Sequence, residues 1–469
     1  MLRASLAILS LGLSWTNAAL AAQPATLRVD YIHSGNALAD HYALDRVVEE
    51  ALPWPGNLAQ SIDTLELGAY FFDVVDPATG RVFFSRGYSS VFGEWRTTDE
   101  ARGMDRAFGE SLRFPKPDRP VRVRVYERDD RNRFSMAWTV DIDPAALDVE
   151  RKPMPLPAAA APVTLRDNGP PERKVDLLIL GDGYTEAERA RFLADARRLG
   201  DALFAVSPFK QRARDFNLHA LMVPTPESGV SRPSTGQHRA SALGARYDIF
   251  GSERYVLTLD NRALRDIAQH APYEFIEILV NGETYGGGGI FGQFSTAAAG
   301  SEWAPYLMVH EFGHHFAALA DEYYTSPVSY AAASGRREPW ETNVTAQTDR
   351  ATLKWGALVK ADTPLPTPWP KAEFEAFQRE IQAERKTLRE AQRPEAEMNA
   401  LFRREQAHVE GLFSAAPHHD RVGAFEGANY EATGYYRSEM NCLMFTRTEH
   451  FCRVCAKSIE DVIDQYSSH

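Results

Sequence analysis

At 469 residues the chain is longer than one small hydrophobic core organises, so two domains are expected. Its 44% hydrophobic and 25% charged residues are the proportions of an ordinary soluble globular protein. A formal net charge of −12 argues against a nucleic-acid binder, because phosphate contacts need Lys and Arg gathered on one face.

In chain order, Arg3 precedes the apolar run LAILSLGLSW, and small residues follow, including Ala19-Leu20-Ala21. This is the grammar of a signal peptide over residues 1–21, and the run is too short to span a bilayer. It predicts export, with the mature protein periplasmic or extracellular. No later segment is apolar enough for a membrane span.

Residues 26–150 read as a β-sandwich. LRVDYI, LELGAYFFDVVD, GRVFFSRGY, VRVRVYERD and RFSMAWTVDID are dense in β-branched and aromatic residues, and turn formers such as DPATG and RDDRN separate them. A Pro/Ala-rich linker, residues 151–165, contains PMPLPAAAAPV and marks the domain boundary. From residue 166 to 469 strands alternate with helices, which predicts an α/β domain. KVDLLILGDGYTEAERARFLADARRLGDALF gives a buried strand, a tight turn and an amphipathic helix with Thr185 as N-cap; FNLHALMVP and FIEILVNG give two more strands.

YGGGGIFGQFST, residues 285–296, cannot stabilise a helix, but its glycines permit another backbone to come close. Without a following Lys-Ser/Thr and helix it is not a phosphate loop, and an edge strand beside a cleft fits better. Residues 371–413 form a charged helical pair broken at Pro394, an insertion or lid.

The chemistry centres on LMVHEFGHHFAALADEYY, residues 307–324. His310 and His314 stand four apart, so a helix sets them one turn apart on one face, where they can grip one Zn2+ ion. Glu311, beside the first ligand, is placed to act as general base toward metal-activated water. His315 points about 100 degrees away from His314 and lies behind the ligands or on the surface.

A catalytic zinc takes a third protein ligand and keeps one position open. Asp321 is on the right helical face, but a straight helix would leave it about 10 Å along the axis. The helix must therefore end between Ala317 and Ala320. Glu322 and Glu426 compete with Asp321 as third ligand. Met444 is a candidate floor beneath the ion, and Tyr436, with Tyr435 as its rival, a candidate hydrogen-bond donor to an oxyanion. The three cysteines, Cys442, Cys452 and Cys455, read as one disulfide and one thiol, since a single Cys-x-x-Cys is a weak zinc signal.

LILGDGYTEAE, HEFGHHFAALADEYY, NVTAQTDRATLKW, GAFEGANYEATGYYRSEMNCLMF and FCRVC together resemble the IgA-peptidase family of secreted bacterial zinc metallopeptidases. GAYFFDVVDPATGRVFFSRGYSSVFGEWRTTDEA resembles the β-sandwich domain that precedes the peptidase in that family. The resemblance implies an N-terminal sandwich followed by a zincin-like α/β peptidase domain, one zinc ion on His310, His314 and Asp321, and a protein or peptide substrate cleaved internally. Ala318 departs from the small Gly expected at the helix end. Nothing in these residues selects the Pro/Thr-rich hinge of an immunoglobulin. The rival reading is a secreted adhesin, a glycan- or protein-binding protein whose metal is structural and closed by four protein ligands.

Overall fold

The computed structural model describes residues 23–153, 155–328 and 335–467; the segment read as a signal peptide, residues 1–21, lies outside them. The N-terminal region is all-β. Strands β1 (Ala25–Gly35), β2 (Asp40–Pro53), β3 (Tyr70–Val75) and β4 (Val82–Tyr88) precede a short helix, α1 (Val91–Trp95). Strands β5 (Arg106–Pro115), β6 (Val121–Arg128) and β7 (Phe134–Ile142) follow it. They form two antiparallel sheets, β2-β1-β5 and β4-β3-β6-β7. Period-2 alternation turns Leu27, Val29 and Tyr31 of one sheet and Phe72, Val74, Val121, Val123 and Val125 of the other into a shared core.

The chain then builds a mixed sheet. Strand β8 (Val163–Arg166) begins inside the segment read as linker. Next come β9 (Val175–Asp182), α2 (Arg189–Leu203), β10 (Phe216–Met222), α3 (Asn261–Ala268), β11 (Phe275–Val280), β12 (Gly287–Ile290) and β13 (Phe294–Ala298). Their order is β12-β13-β11-β9-β10-β8, parallel in the centre and antiparallel at both edges. β9, β10 and β11 are buried along their whole length, as their near-continuous apolar sequences require. Thr185 and Glu188 form a capping box at the approach to α2.

Helix α4 (Ala304–Ala317) packs on this sheet, and the chain continues through β14 (Val344–Thr345), α5 (Lys371–Glu390), α6 (Glu395–Ser414), β15 (Phe425–Ala428), β16 (Glu431–Arg437) and α7 (Arg453–Tyr466). The edge strand β12 crosses directly over α4. A Cβ on Gly289 would stand 2.3 Å from the Glu311 carbonyl oxygen and 2.9 Å from His314 Cβ, so only glycine allows this approach. His315, fully buried, pins the helix to the sheet: its Nε2 accepts the Ile276 N–H at 3.1 Å, and its Nδ1 donates to the Ile290 carbonyl at 3.1 Å. Of the two placements open to it in sequence, behind the ligands or on the surface, the surface one is thereby excluded. Burial drives its pKa down to about 3, so the ring stays neutral.

The two domains share a core and a buried ionic network. Phe92, Trp95 and Phe108 pack with Leu178, Leu180 and Ile278. Arg28, with no exposed surface, donates to Asp30 at 2.8 Å, Glu50 at 3.2 Å and Asp266 of α3 at 2.6 Å. The helical pair is no free-standing lid: Phe374, Ile381, Leu401 and Phe413 are buried in the core of the C-terminal domain. Among the described residues no helix is long and apolar enough to cross a membrane.

Arg28→Met leaves Asp30 and Glu50 buried with a lost partner and is expected to cost about 3–5 kcal/mol in urea unfolding. Asp266→Ala should cost less, because Arg28 keeps its other two carboxylates. Gly289→Ala is expected to lower stability by about 1–3 kcal/mol by forcing β12 off α4; an unchanged urea midpoint would show that the contact is not tight.

Candidate active site

Helix α4 starts with Pro305 in its first turn and buries Leu307, Met308, Phe312 and Phe316. Its last turn ends at Ala317, and Ala318 adopts a left-handed conformation, φ 54° and ψ 34°, while its N–H bonds the His314 carbonyl at 3.1 Å. A non-glycine residue pays about 1–2 kcal/mol for this. The surroundings hold it there. The Leu319 carbonyl accepts from His314 Nδ1 at 2.5 Å, and Asn343 brackets Ala320 by bonding both its N–H and its carbonyl at 2.9 Å. The Glu322 N–H bonds the Met444 carbonyl at 2.9 Å.

The reversal brings Asp321 back over the histidines. Its Oδ1 lies 3.1 Å from His310 Nε2 and 3.2 Å from His314 Nε2, and the two Nε2 atoms are 3.2 Å apart. Each ring's Nδ1 faces a carbonyl that can only accept, Leu443 at 3.0 Å for His310 and Leu319 for His314. Both Nδ1 atoms therefore carry the proton, and both Nε2 atoms offer lone pairs to the same point. Asp321 Oδ1 is buried there with no hydrogen-bond donor.

Three acceptors converging at this distance demand positive charge between them. Burial lowers the His314 pKa, but the Asp321 carboxylate overrides it and carries it up to about 9. Burial works against ionisation of Asp321, yet the two histidines hold it well below the usual carboxylate range. A proton satisfies one such contact, whereas a metal ion satisfies all three. A tetrahedral ion with bonds of 2.0–2.1 Å has ligand edges of about 3.3–3.4 Å, close to the observed triangle. His310, His314 and Asp321 can thus hold an ion. Glu322 and Glu426 are not at the triangle. Glu322 turns to the opposite side of the chain, and Glu426 pairs with Lys371 at 2.8 Å.

Around the triangle the side chains are held from behind. Tyr430, itself left-handed at φ 65°, donates to Asp321 Oδ2 at 2.7 Å. The NCLMF turn passes under α4: Leu443 supplies the carbonyl for His310, and Met444 Sδ packs where Gly313 has no Cβ. Glu311 is seated against Gly287, where a Cβ would stand 2.9 Å from Glu311 Cγ. Burial raises the Glu311 carboxyl, and His310 and His314 pull against that rise.

These groups line a cleft of about 530 Å³. Its walls come from both domains, with Ser89, Ser90, Gly93 and Thr97 facing Arg254, Tyr323 and Tyr430. Tyr436 is not among the lining residues. On β16, its backbone pairs with Thr345 of β14 and Glu426 of β15, and strand alternation turns the neighbouring Tyr435 toward the cleft instead. Sequence reasoning missed Tyr306, whose hydroxyl lies 3.2 Å from His310 Nδ1, and the cleft residues Tyr323, Tyr430 and Arg254. The tyrosine density of DEYY and GANYEATGYY hinted only at Tyr323 and Tyr430.

The cysteines form no disulfide. All three are free and buried, and Cys442 Sγ lies 3.7 Å from Cys455 Sγ, far beyond the roughly 2.05 Å of a bond.

The family model described as IgA Peptidase M64 matches residues 163–463, and that described as Peptidase M64 N-terminus matches residues 19–139. No curated protein sequence matches the chain. With its cleft, its histidine–carboxylate triangle and a family match over most of its length, the chain belongs to the IgA peptidase M64 family and is a peptidase, acting on protein or peptide substrates.

Proposed function

We propose that this peptidase is a zinc-dependent endopeptidase. The supporting observation is the convergence of two imidazole lone pairs and an undonated carboxylate oxygen on one point at the floor of an open cleft. Two imidazoles and one carboxylate suit zinc, and three protein ligands leave the side toward the cleft for chemistry. A closed structural site, as an adhesin would carry, has four. Zinc bound there would supply Lewis acidity for the scissile carbonyl and acidify a water.

The remaining work falls to the chain. Glu311 takes a proton from the attacking water on its carboxylate and later delivers it to the leaving nitrogen; its burial-raised pKa suits both steps. Tyr323 replaces Tyr436 as the oxyanion donor. Arg254 Nη2 donates to the Tyr323 oxygen at 3.1 Å, which leaves the phenolic proton free to point into the cleft. Tyr430 keeps the Asp321 carboxylate turned toward the histidines.

Glu311→Gln is expected to lower turnover of an unstructured protein such as casein by about 10²-fold or more while zinc stays bound. A chelator should abolish wild-type cleavage, and added zinc should restore it. Near wild-type cleavage by the variant would remove Glu311 from this role.

The signal-peptide reading extends the proposal to export. Protein recovered from the periplasm or medium should begin at Ala22 or Gln23 on N-terminal sequencing; a retained Met1 would refute it.

A further inference from the structure

We propose a second metal centre: Glu322, Cys442, Cys452 and Cys455 form a closed, structural zinc site beside the active site. The four ligand atoms lie within 4.8 Å of one another, and all four residues are fully buried or nearly so. None of them takes part in the proposed hydrolysis.

The distances fit a tetrahedron. Zinc–sulfur bonds of about 2.3 Å give a sulfur–sulfur edge of about 3.75 Å, and mixed sulfur–oxygen edges of about 3.5 Å. Cys442 and Cys455 sulfurs are 3.7 Å apart, and Glu322 Oε1 is 3.4 Å from Cys455 Sγ and 3.9 Å from Cys452 Sγ. These separations are too long for a disulfide and match ligands around a common ion.

Two further observations point the same way. Glu322 has no exposed surface, and its Oε2 has no hydrogen-bond partner, while Asn343 serves only Oε1, at 3.0 Å. The buried Arg437 does not rescue it, because its guanidinium donates to the Gly427 and Met440 carbonyls. A carboxylate taken out of water needs a bonded cation or a full set of donors; here no cation bonds it and Oε2 has no donor. Two of the sulfurs, in turn, are held as acceptors. Cys452 Sγ receives the Cys455 N–H at 3.3 Å and the Ser438 hydroxyl at 3.2 Å, and Cys442 Sγ receives the Cys452 N–H at 3.2 Å. Donors aimed at sulfur favour thiolates, the form in which cysteine binds metal. Three thiolates and one carboxylate, with no side open to the cleft, select zinc in a closed structural site.

The ligands come from distant parts of the chain. Glu322 immediately follows Asp321, Cys442 lies in the turn under α4, and Cys452 caps α7. An ion here would clip these three segments together.

The test uses the full chain purified without chelator, with zinc counted by mass spectrometry. Wild type is expected to hold two equivalents, and a His310→Ala/His314→Ala variant one. In that variant, cobalt in place of zinc should give an intense thiolate charge-transfer band in the near ultraviolet. Cys455→Ser should lose one equivalent and lower Tm. If Cys455→Ser fails to fold, the histidine variant still decides. A histidine variant that holds no zinc and binds no cobalt through sulfur overturns the proposal, as does a cysteine–cysteine bond found by alkylation of the denatured, unreduced wild type. Because the histidine variant lacks the first site, failure here leaves the Glu311 experiment unaffected.

Discussion

The reversal at Ala318 is the constraint on which the chemistry depends. Had α4 continued, Asp321 would sit about 10 Å beyond the histidines along the axis. Stopping the helix with one left-handed alanine instead folds the chain back within five residues. An alanine does not hold that conformation unaided. Asn343 clamps Ala320 from both sides, Met444 receives the Glu322 N–H, and the Asp321 carbonyl receives the Asn429 N–H at 3.1 Å. In the segment that emerges, consecutive side chains turn to different clusters. Asp321 faces the histidines and Glu322 faces the cysteines. One short stretch of backbone therefore sets the geometry of two clusters, and a shift in it would disturb both.

The N-terminal sandwich belongs to the same construction. Arg28 and Arg46 of the sandwich share Asp266 on α3, and Arg113 bonds Glu50 while its guanidinium stacks 3.6 Å over Tyr273. Charges buried this deeply stabilise only when every partner is in place, which ties the relative placement of the domains to a specific register. Ser89 then bonds Phe291, at the end of the glycine strand, across the boundary at 2.9 Å. The wall opposite the histidines is thus fixed to the strand that crosses the catalytic helix. Cleft shape follows from domain docking as much as from the peptidase domain itself.

What the sequence made legible was what depends on short-range periodicity. The four-residue spacing of His310 and His314, the need for a chain reversal before Asp321 and the close backbone approach at 285–296 all follow from helix and glycine geometry alone. So did the buried strands at 175–182, 216–222 and 275–280. Strands β2 and β5 went unread because DHYALDRVVEEALP and RAFGESLRFP carry charges that only the buried ionic network explains. Tyr436 and Tyr435 are not separable in sequence, because the facing of β16 depends on its partners and one residue of register decides which side a strand residue takes. His315 looked like a leftover because its partners, the Ile276 N–H and the Ile290 carbonyl, are backbone atoms on other strands. The cysteines misled for the same reason: the fourth member of their cluster is 120 residues before the first of them, and no spacing rule joins Glu322 to Cys442.

The helical pair at 371–414 finds its explanation in the same place. Its charged sequence suggested an insertion or lid, yet Phe374 and Phe413 pack with Trp369 and Phe445 into one aromatic cluster. Arg437 lies 3.7 Å over the Phe445 ring, and Tyr324 stacks on Phe445 while its hydroxyl donates to Glu375 at 3.2 Å. Gly427 is required there, since a Cβ would fall 2.2 Å from the Tyr324 ring. Tyr324 stands two residues after Glu322 and three after Asp321. The pair therefore packs against the far end of the segment that Asn343 clamps at its start. A segment held at both ends loses the freedom that would otherwise blur ligand positions, which is what a precise three-ligand site needs from its surroundings. The insertion works as a buttress behind the metal-facing segment rather than as a cover over the cleft.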